Sequence, residues 1–285
     1  MSEALTGRRL ATAQRYVEVG QHESALEALA GLDAETARSA YAHRLRGFAH
    51  YGLEQFDDAS RAAEEGLRDN PEDEGLLYLL SLAEEGRGNL AAAERAILAA
   101  LEFAPEEAEL LCQYADVLMR AGQLDKAEQV LGHAAAASPD SADVLAARVS
   151  LAYLRHDTRK ARELSEQLLA LDPESVRGQR MLGVLDWQRG KTRVASERFA
   201  DAVRTDPTDE WAADSARTTR KLSNPLLWPT RFFTRFGAGP TWVAAIAIIL
   251  GLRALDQDAL AGLATIIWLV MCVSSWIAAA VLKDG

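Results

Sequence analysis

Five prolines, Pro71, Pro105, Pro139, Pro173 and Pro207, follow one another at intervals of 34 residues without a slip. The other three, Pro225, Pro229 and Pro240, lie beyond the last of these rungs. A second ladder shares the period: Ala25, Ala59, Ala93, Ala127, Ala161 and Ala195. Gly20, Gly88, Gly122 and Gly190 form a third, with Glu54 and His156 in the two remaining places. One period, Ala108 to Ser141, reads as two short helices around a turn at Ala121-Gly122-Gln123, closed by Pro139. Proline ends the second helix, and the residue before it leaves the helical region. A unit this short cannot bury its apolar stripe alone, so neighbours must stack and share a continuous core.

A 34-residue helix–turn–helix unit with these features resembles the tetratricopeptide repeat family. The resemblance covers residues 6–209 and implies an all-α superhelical solenoid of six repeats. In that family a small residue midway along the first helix faces a small residue midway along the second. Here the first place holds Ala13, Gly47, Ser81, Ala115, Val149 and Gly183, of which only the branched Val149 departs from the pattern. The aromatic usual late in the first helix survives as Tyr16 alone, and Glu84 is among its replacements. The first unit is loose, with Ala37 where proline is expected. Residues 210–222 read as a more polar capping helix whose Trp211 plugs the open end.

The resemblance also implies a concave groove lined by the second, fifth, ninth and twelfth places of each unit. These include Tyr41, Arg44, Phe48 and Tyr51, then Tyr78, then Glu109, Cys112, Asp116 and Met119. Asp143 and Tyr153 follow in the fifth unit, and Arg177, Arg180 and Trp187 in the sixth. Aromatic and methionine side chains offer contact area at modest entropic cost, as a peptide-binding groove requires. The alternative is that the aromatics pack between adjacent units. The lysines and asparagines with which some family members clamp a C-terminal carboxylate are missing from the fifth and ninth places.

Catalytic signals are weak. His22-Glu23 begins like a zinc-protease motif, but Leu26 stands where the second histidine belongs. Gly190-Lys191-Thr192 imitates the end of a P-loop, yet Leu185 replaces its first glycine and no strand precedes it. Glu64-Glu65 and Glu84-Glu85 read as solvated faces of solenoid helices. Cys112 and Cys272 lack C-x-x-C partners, which leaves neither a disulfide framework nor a zinc site. No enzyme, cofactor or small-molecule substrate is indicated.

The charge is unevenly placed. Residues 1–214 hold 24 Lys+Arg against 39 Asp+Glu, a net of −15, whereas Ser215 to Leu255 contain no acidic residue. An acidic body disfavours nucleic acid, and a basic neck suits anionic lipid. The neck, residues 223–240, interleaves Trp228, Phe232 and Phe233 with Arg231 and Arg235, and Trp242 follows; such a mixture suits a membrane–water interface. Residues 259–282 are 24 in a row without a charge, enough to span a bilayer. Residues 241–255 form a weaker run, separated from the first by Asp256-Gln257-Asp258. The reading is a transmembrane hairpin over residues 241–282, with repeats and C-terminus in the cytosol by the positive-inside rule. If the first run only lies in the interface, the chain is tail-anchored. The alanine- and arginine-rich composition suggests a bacterial inner membrane.

These features predict a membrane-anchored adaptor that binds a protein or peptide in its groove. A structural subunit of a membrane protein assembly, whose hairpin makes the specific contacts, is the rival reading.

Overall fold

The computed structural model describes residues 2–223, 238–255 and 257–283. The chain divides into two compact units, Met1–Met181 and Leu182–Gly285. Among the described residues every regular element is helical and no strand occurs.

The first unit holds α1 (Ser2–Glu18), α2 (His22–Ala30), α3 (Ala40–Gly52), α4 (Phe56–Asp69), α5 (Glu74–Gly86) and α6 (Leu90–Phe103). It continues with α7 (Ala108–Arg120), α8 (Leu124–Ala137), α9 (Ala142–Leu154) and α10 (Thr158–Leu171), and ends within α11 (Val176–Gln188). From α1 to α10 each helix packs on the next, and α1, α3, α5, α7 and α9 also pack in series as the first helices of successive pairs.

The local chemistry repeats with the sequence. At residues 20, 54, 88, 122, 156 and 190 the backbone turns left-handed, with φ between 57° and 81°. The N–H one residue further on returns to a carbonyl five residues back, Gln21 to Tyr16 through Lys191 to Asp186, at 2.8–3.0 Å. This is the Schellman stop, and glycine suits it because it carries no Cβ. Glu54 and His156 adopt the same conformation at a steric cost.

A further ladder starts the first helices. Asp73 and Asp209 accept the N–H of Leu76 and Ala212, both at 2.9 Å. Ser39, Ser141 and Ser175 accept those of Ala42, Val144 and Gly178 at 3.2–3.4 Å. These are N-caps at the repeat period, and the sequence reading missed them although Ser or Asp two residues after proline is a legible signal. Glu107 occupies the remaining place and makes no cap bond. In the first repeat, where Ala37 stands at the proline place, a 3₁₀ turn over Thr36–Arg38 leads into α3 instead.

The small-residue ladders form the seam within each helix pair. Ala25, Ala59, Ala93, Ala127, Ala161 and Ala195 are wholly buried, as are Ala13, Ser81, Ala115 and Val149. A Cβ added at Gly47 would collide with Leu79, itself fully buried, so the approach of α3 to α5 requires glycine there.

The second unit contains the end of α11, then α12 (Thr192–Thr205), α13 (Glu210–Leu222), α14 (Ala238–Ala254) and α15 (Asp258–Lys283). Phe199 is fully buried against Gly183, and Trp211 stacks edge-on against it with ring centroids 5.5 Å apart. Trp211 keeps 45% of its surface exposed, so it covers the edge of Phe199 without being plugged into a core. Helices α14 and α15 pack as a hairpin, with Trp242 and Trp268 in a T-shaped contact at 5.2 Å.

Among the described residues no helix is long and apolar enough to cross a membrane. The expected transmembrane hairpin over residues 241–282 is therefore not shown. Helix α14 has 17 residues, a length of about 26 Å that falls short of a hydrocarbon core of about 30 Å. The longer run expected over 259–282 lies in α15, but its side chains at 271 and from 274 onward fall outside the described residues. So do Trp228, Arg231, Phe232, Phe233 and Arg235 of the expected interface. Of that set Trp242 is described, and it is 49% exposed.

Candidate partner-binding groove

The candidate groove is built from the first helices of the first unit. On α3, the Tyr41 hydroxyl donates to the Gln14 amide oxygen at 2.7 Å, and the Arg44 guanidinium lies over the Tyr41 ring at 5.4 Å. One and two turns on, Phe48 meets Tyr78 of α5 at 6.3 Å between centroids, and Tyr51 meets Phe56 at 5.7 Å. All four aromatics of this wall, Tyr41, Phe48, Tyr51 and Tyr78, are half-buried. Burial, and after it the charge of Glu109 on α7, raises the pKa of the Tyr78 hydroxyl strongly. Burial likewise raises that of Tyr51, with the charge of Glu85 adding to it.

Asp116, one turn before the end of α7, stands in the midst of these groups. Burial pushes its carboxyl from an ordinary 3.8 up to about 6; Arg177 opposes the shift, Glu85 adds to it and Arg120 again opposes it. Among the described residues Asp116 has no hydrogen-bond or ion-pair partner. Its neighbour Glu85 does: Gln113 donates to one carboxylate oxygen at 2.7 Å and Arg120 to the other at 3.1 Å. Gln113 also reaches Ser81 at 3.3 Å, which ties α7 to α5 beneath the groove.

Glu84 is buried as well, toward α4, and accepts from Ser60 at 2.7 Å, from Asn89 at 2.9 Å and from Arg87. Burial works to raise its pKa, but the hydrogen bonds from Ser60, Asn89 and Arg87 outweigh it and the pKa is lowered. The pair expected on a solvated face is thus internal, and each carboxylate has its own set of donors. The physical reason is stacking: α4 supplies Ser60 and α7 supplies Gln113, from 24 and 28 residues away.

The remaining expected groove residues divide. Tyr153 on α9 and Arg180 on α11 are half-buried, and Arg177 is exposed, near enough to act on both Asp116 and Cys112. Met119 is only 7% exposed and packs in the core cluster with Leu118, Leu131 and Val144, so it belongs to the core rather than the wall. Cys112 is in the same cluster; burial and then Asp116 push its thiol up to about 12, which leaves it protonated and inert. Trp187 lies in the second unit and is 40% exposed. Among the described residues no group of three or more His, Cys, Asp or Glu side chains could hold a metal ion.

Residues 45–108 and 86–151 each match a family model described as tetratricopeptide repeat. Residues 45–151 carry tetratricopeptide repeats. Proteins built from these repeats generally act as non-catalytic scaffolds for protein–protein interaction. A thermophilic tetratricopeptide repeat protein of Thermus thermophilus is similar in structure, with a TM-score of 0.59 and 21% identity, over 64% of this chain and 99% of that one. A tetratricopeptide repeat protein of Parabacteroides merdae gives a TM-score of 0.67 at 16% identity, over 74% and 83%. The Pseudomonas aeruginosa protein pilF gives 0.53 at 13%, over 77% and 98%. At these identities the likeness is one of fold. Among curated proteins none matches the sequence.

Proposed function

We propose that this tetratricopeptide repeat protein is a scaffold whose groove, centred on Asp116 between Tyr51, Tyr78 and Arg177, holds an extended peptide or helix of a partner protein. The observation that carries the reading is Asp116 itself. A half-buried carboxylate without a bonded partner destabilises the free repeat array, and such a cost is tolerated where binding uses the group. The tyrosine edges beside it supply stiff apolar contact.

The C-terminal hairpin and the basic neck would hold the repeats at the cytoplasmic face of a membrane, in a bacterium the inner membrane. Support comes from the large apolar side chains left uncovered on α14 and α15, such as Val243 at 69% and Ile266 at 61% exposed. The lack of acidic residues from Ser215 to Leu255 supports it too. The same uncovered faces favour a second reading, a structural subunit whose hairpin makes the specific contacts.

The test is affinity capture from gently solubilised membranes, with wild type beside an Asp116→Lys/Tyr78→Ala variant whose helicity is verified by circular dichroism. A partner held by the wild type and lost by the folded variant supports the groove. Partners kept by both, but lost when an unrelated anchor replaces the hairpin, would support the subunit reading instead.

A further inference from the structure

A cavity of about 420 Å³ opens between α8, α9 and α10, and none of the residues lining it belongs to the groove. Its origin is visible in the repeat register. One repeat earlier, the places of Ala135 and Arg148 are held by Leu101 and Tyr114, which pack together against the core around Ile97 and Leu110. Two repeats earlier they are held by Leu67 and Leu80, which pack against Leu76 and Leu79. Leu169 stands at the place of Ala135 one repeat later, and Leu98 at the place of Gly132 one repeat earlier. The fourth and fifth repeats therefore lack the leucine that stands at the place of Ala135 in their neighbours, and Arg148 stands where a leucine or tyrosine would close the space.

The charged groups of the cavity are not equally committed. Arg155 is bonded to Asp125 at 2.6 Å and to Glu128 at 2.9 Å, and Lys160 lies 3.8 Å from Glu128. Asp157 caps α10 through the Lys160 N–H at 2.9 Å. Arg148 alone of these has no hydrogen-bond or ion-pair partner among the described residues. It is half-buried above an apolar floor of Leu131 and Leu151, which are 1% and 5% exposed. A guanidinium fork seeks a carboxylate, and a site of this size with an apolar floor takes a ligand with an apolar body.

We propose that this cavity is a second binding site, for a carboxylate carried on an apolar body of leucine or phenyl size. The acid group pairs with Arg148, and the body occupies the space that Leu101 and Tyr114 fill one repeat earlier. A free aromatic acid and the C-terminal leucine or phenylalanine of a peptide share this chemistry. The site is independent of the groove around Asp116.

The full-length chain is titrated calorimetrically with phenylacetate, with its neutral isostere phenylacetamide, and with a short peptide ending in a free leucine carboxylate. Saturable binding of phenylacetate or of the peptide is expected, with phenylacetamide at least about tenfold weaker, the difference a charge-assisted pair makes. Preference for the peptide identifies a chain end as the natural source, and preference for phenylacetate a free acid. Arg148→Gln is expected to weaken binding about tenfold. Ala135→Leu, which restores the residue of the neighbouring repeats, is expected to abolish it while raising the thermal midpoint, a readout that also confirms folding. Asp116→Asn leaves it unchanged, so failure of the groove reading and failure of this one are distinguishable. The proposal is overturned if neither acid binds saturably up to millimolar concentration, if the amide binds as well as the acid, or if Ala135→Leu binds like the wild type.

Discussion

Replacing Asp116 by asparagine removes the charge that burial opposes and keeps the shape of the side chain. The folded carboxyl titrates at about 6 against an ordinary 3.8, a difference of about 3 kcal/mol at 1.4 kcal/mol per pH unit. Solvent screening of the half-buried group reduces that figure, so about 1–3 kcal/mol is expected. The sign follows from the raised pKa. The folded protein holds this proton more tightly than the unfolded chain does, so its contribution is fully present below pH 3.8 and is lost as pH rises through about 6. Asp116→Asn therefore stabilises the protein at pH 7.5 and does nothing of the kind at pH 3.5. Urea unfolding of wild type and variant, followed by far-ultraviolet circular dichroism at both pH values, measures the difference. Comparison within each pH removes the contribution of groups that do not interact with Asp116. A variant no more stable than wild type at pH 7.5, or a gain of equal size at both pH values, refutes the account of Asp116 as a strained, unpartnered charge.

Other substitutions probe the frame. Glu107→Asp supplies the one N-cap bond missing from the ladder and is expected to raise stability by about 0.5–1 kcal/mol in the same urea experiment. Glu54→Gly with His156→Gly relieves two left-handed turns, whose cost of about 1–2 kcal/mol each exceeds the entropy that glycine loses on folding. The pair should gain about 1 kcal/mol and be additive, since the sites lie in separate repeats. Glu84→Ala strands the donors of Ser60, Arg87 and Asn89 and should cost about 2–4 kcal/mol at neutral pH. Because the Glu84 pKa is lowered, the wild type's advantage should shrink on acidification through the carboxylate range, as melts at pH 3 and pH 7 would reveal.

Much of the frame was legible because its causes are local. A proline closes a helix, a glycine tolerates positive φ and a small residue admits a neighbour wherever the chain places them, so periodic spacing carries the information. The N-cap ladder from Ser39 to Asp209 is equally local, since a serine or aspartate stands two residues after each proline place except at Glu107. Met119 was assigned to the wall by its place in the repeat. The helix phase there turns it into the cluster with Leu118 and Val144, which a rule of places does not resolve. Glu84 and Glu85 were misjudged for a different reason, since adjacent acidic residues look solvated until distant donors surround them.

The amino-acid sequence by itself determined the repeat: its period, its helix stops, its turns and the small-residue seam, all set by the conformational limits of single residues. Tertiary structure alone decided what stacking brings together. It internalised Glu85 beneath Gln113 and Arg120, left Asp116 half-buried without a partner, and opened a cavity where Ala135 and Arg148 replace a leucine and a tyrosine. Burial and pairing are properties of neighbours some 30 residues apart in sequence, and they come into being only when one repeat is laid against the next.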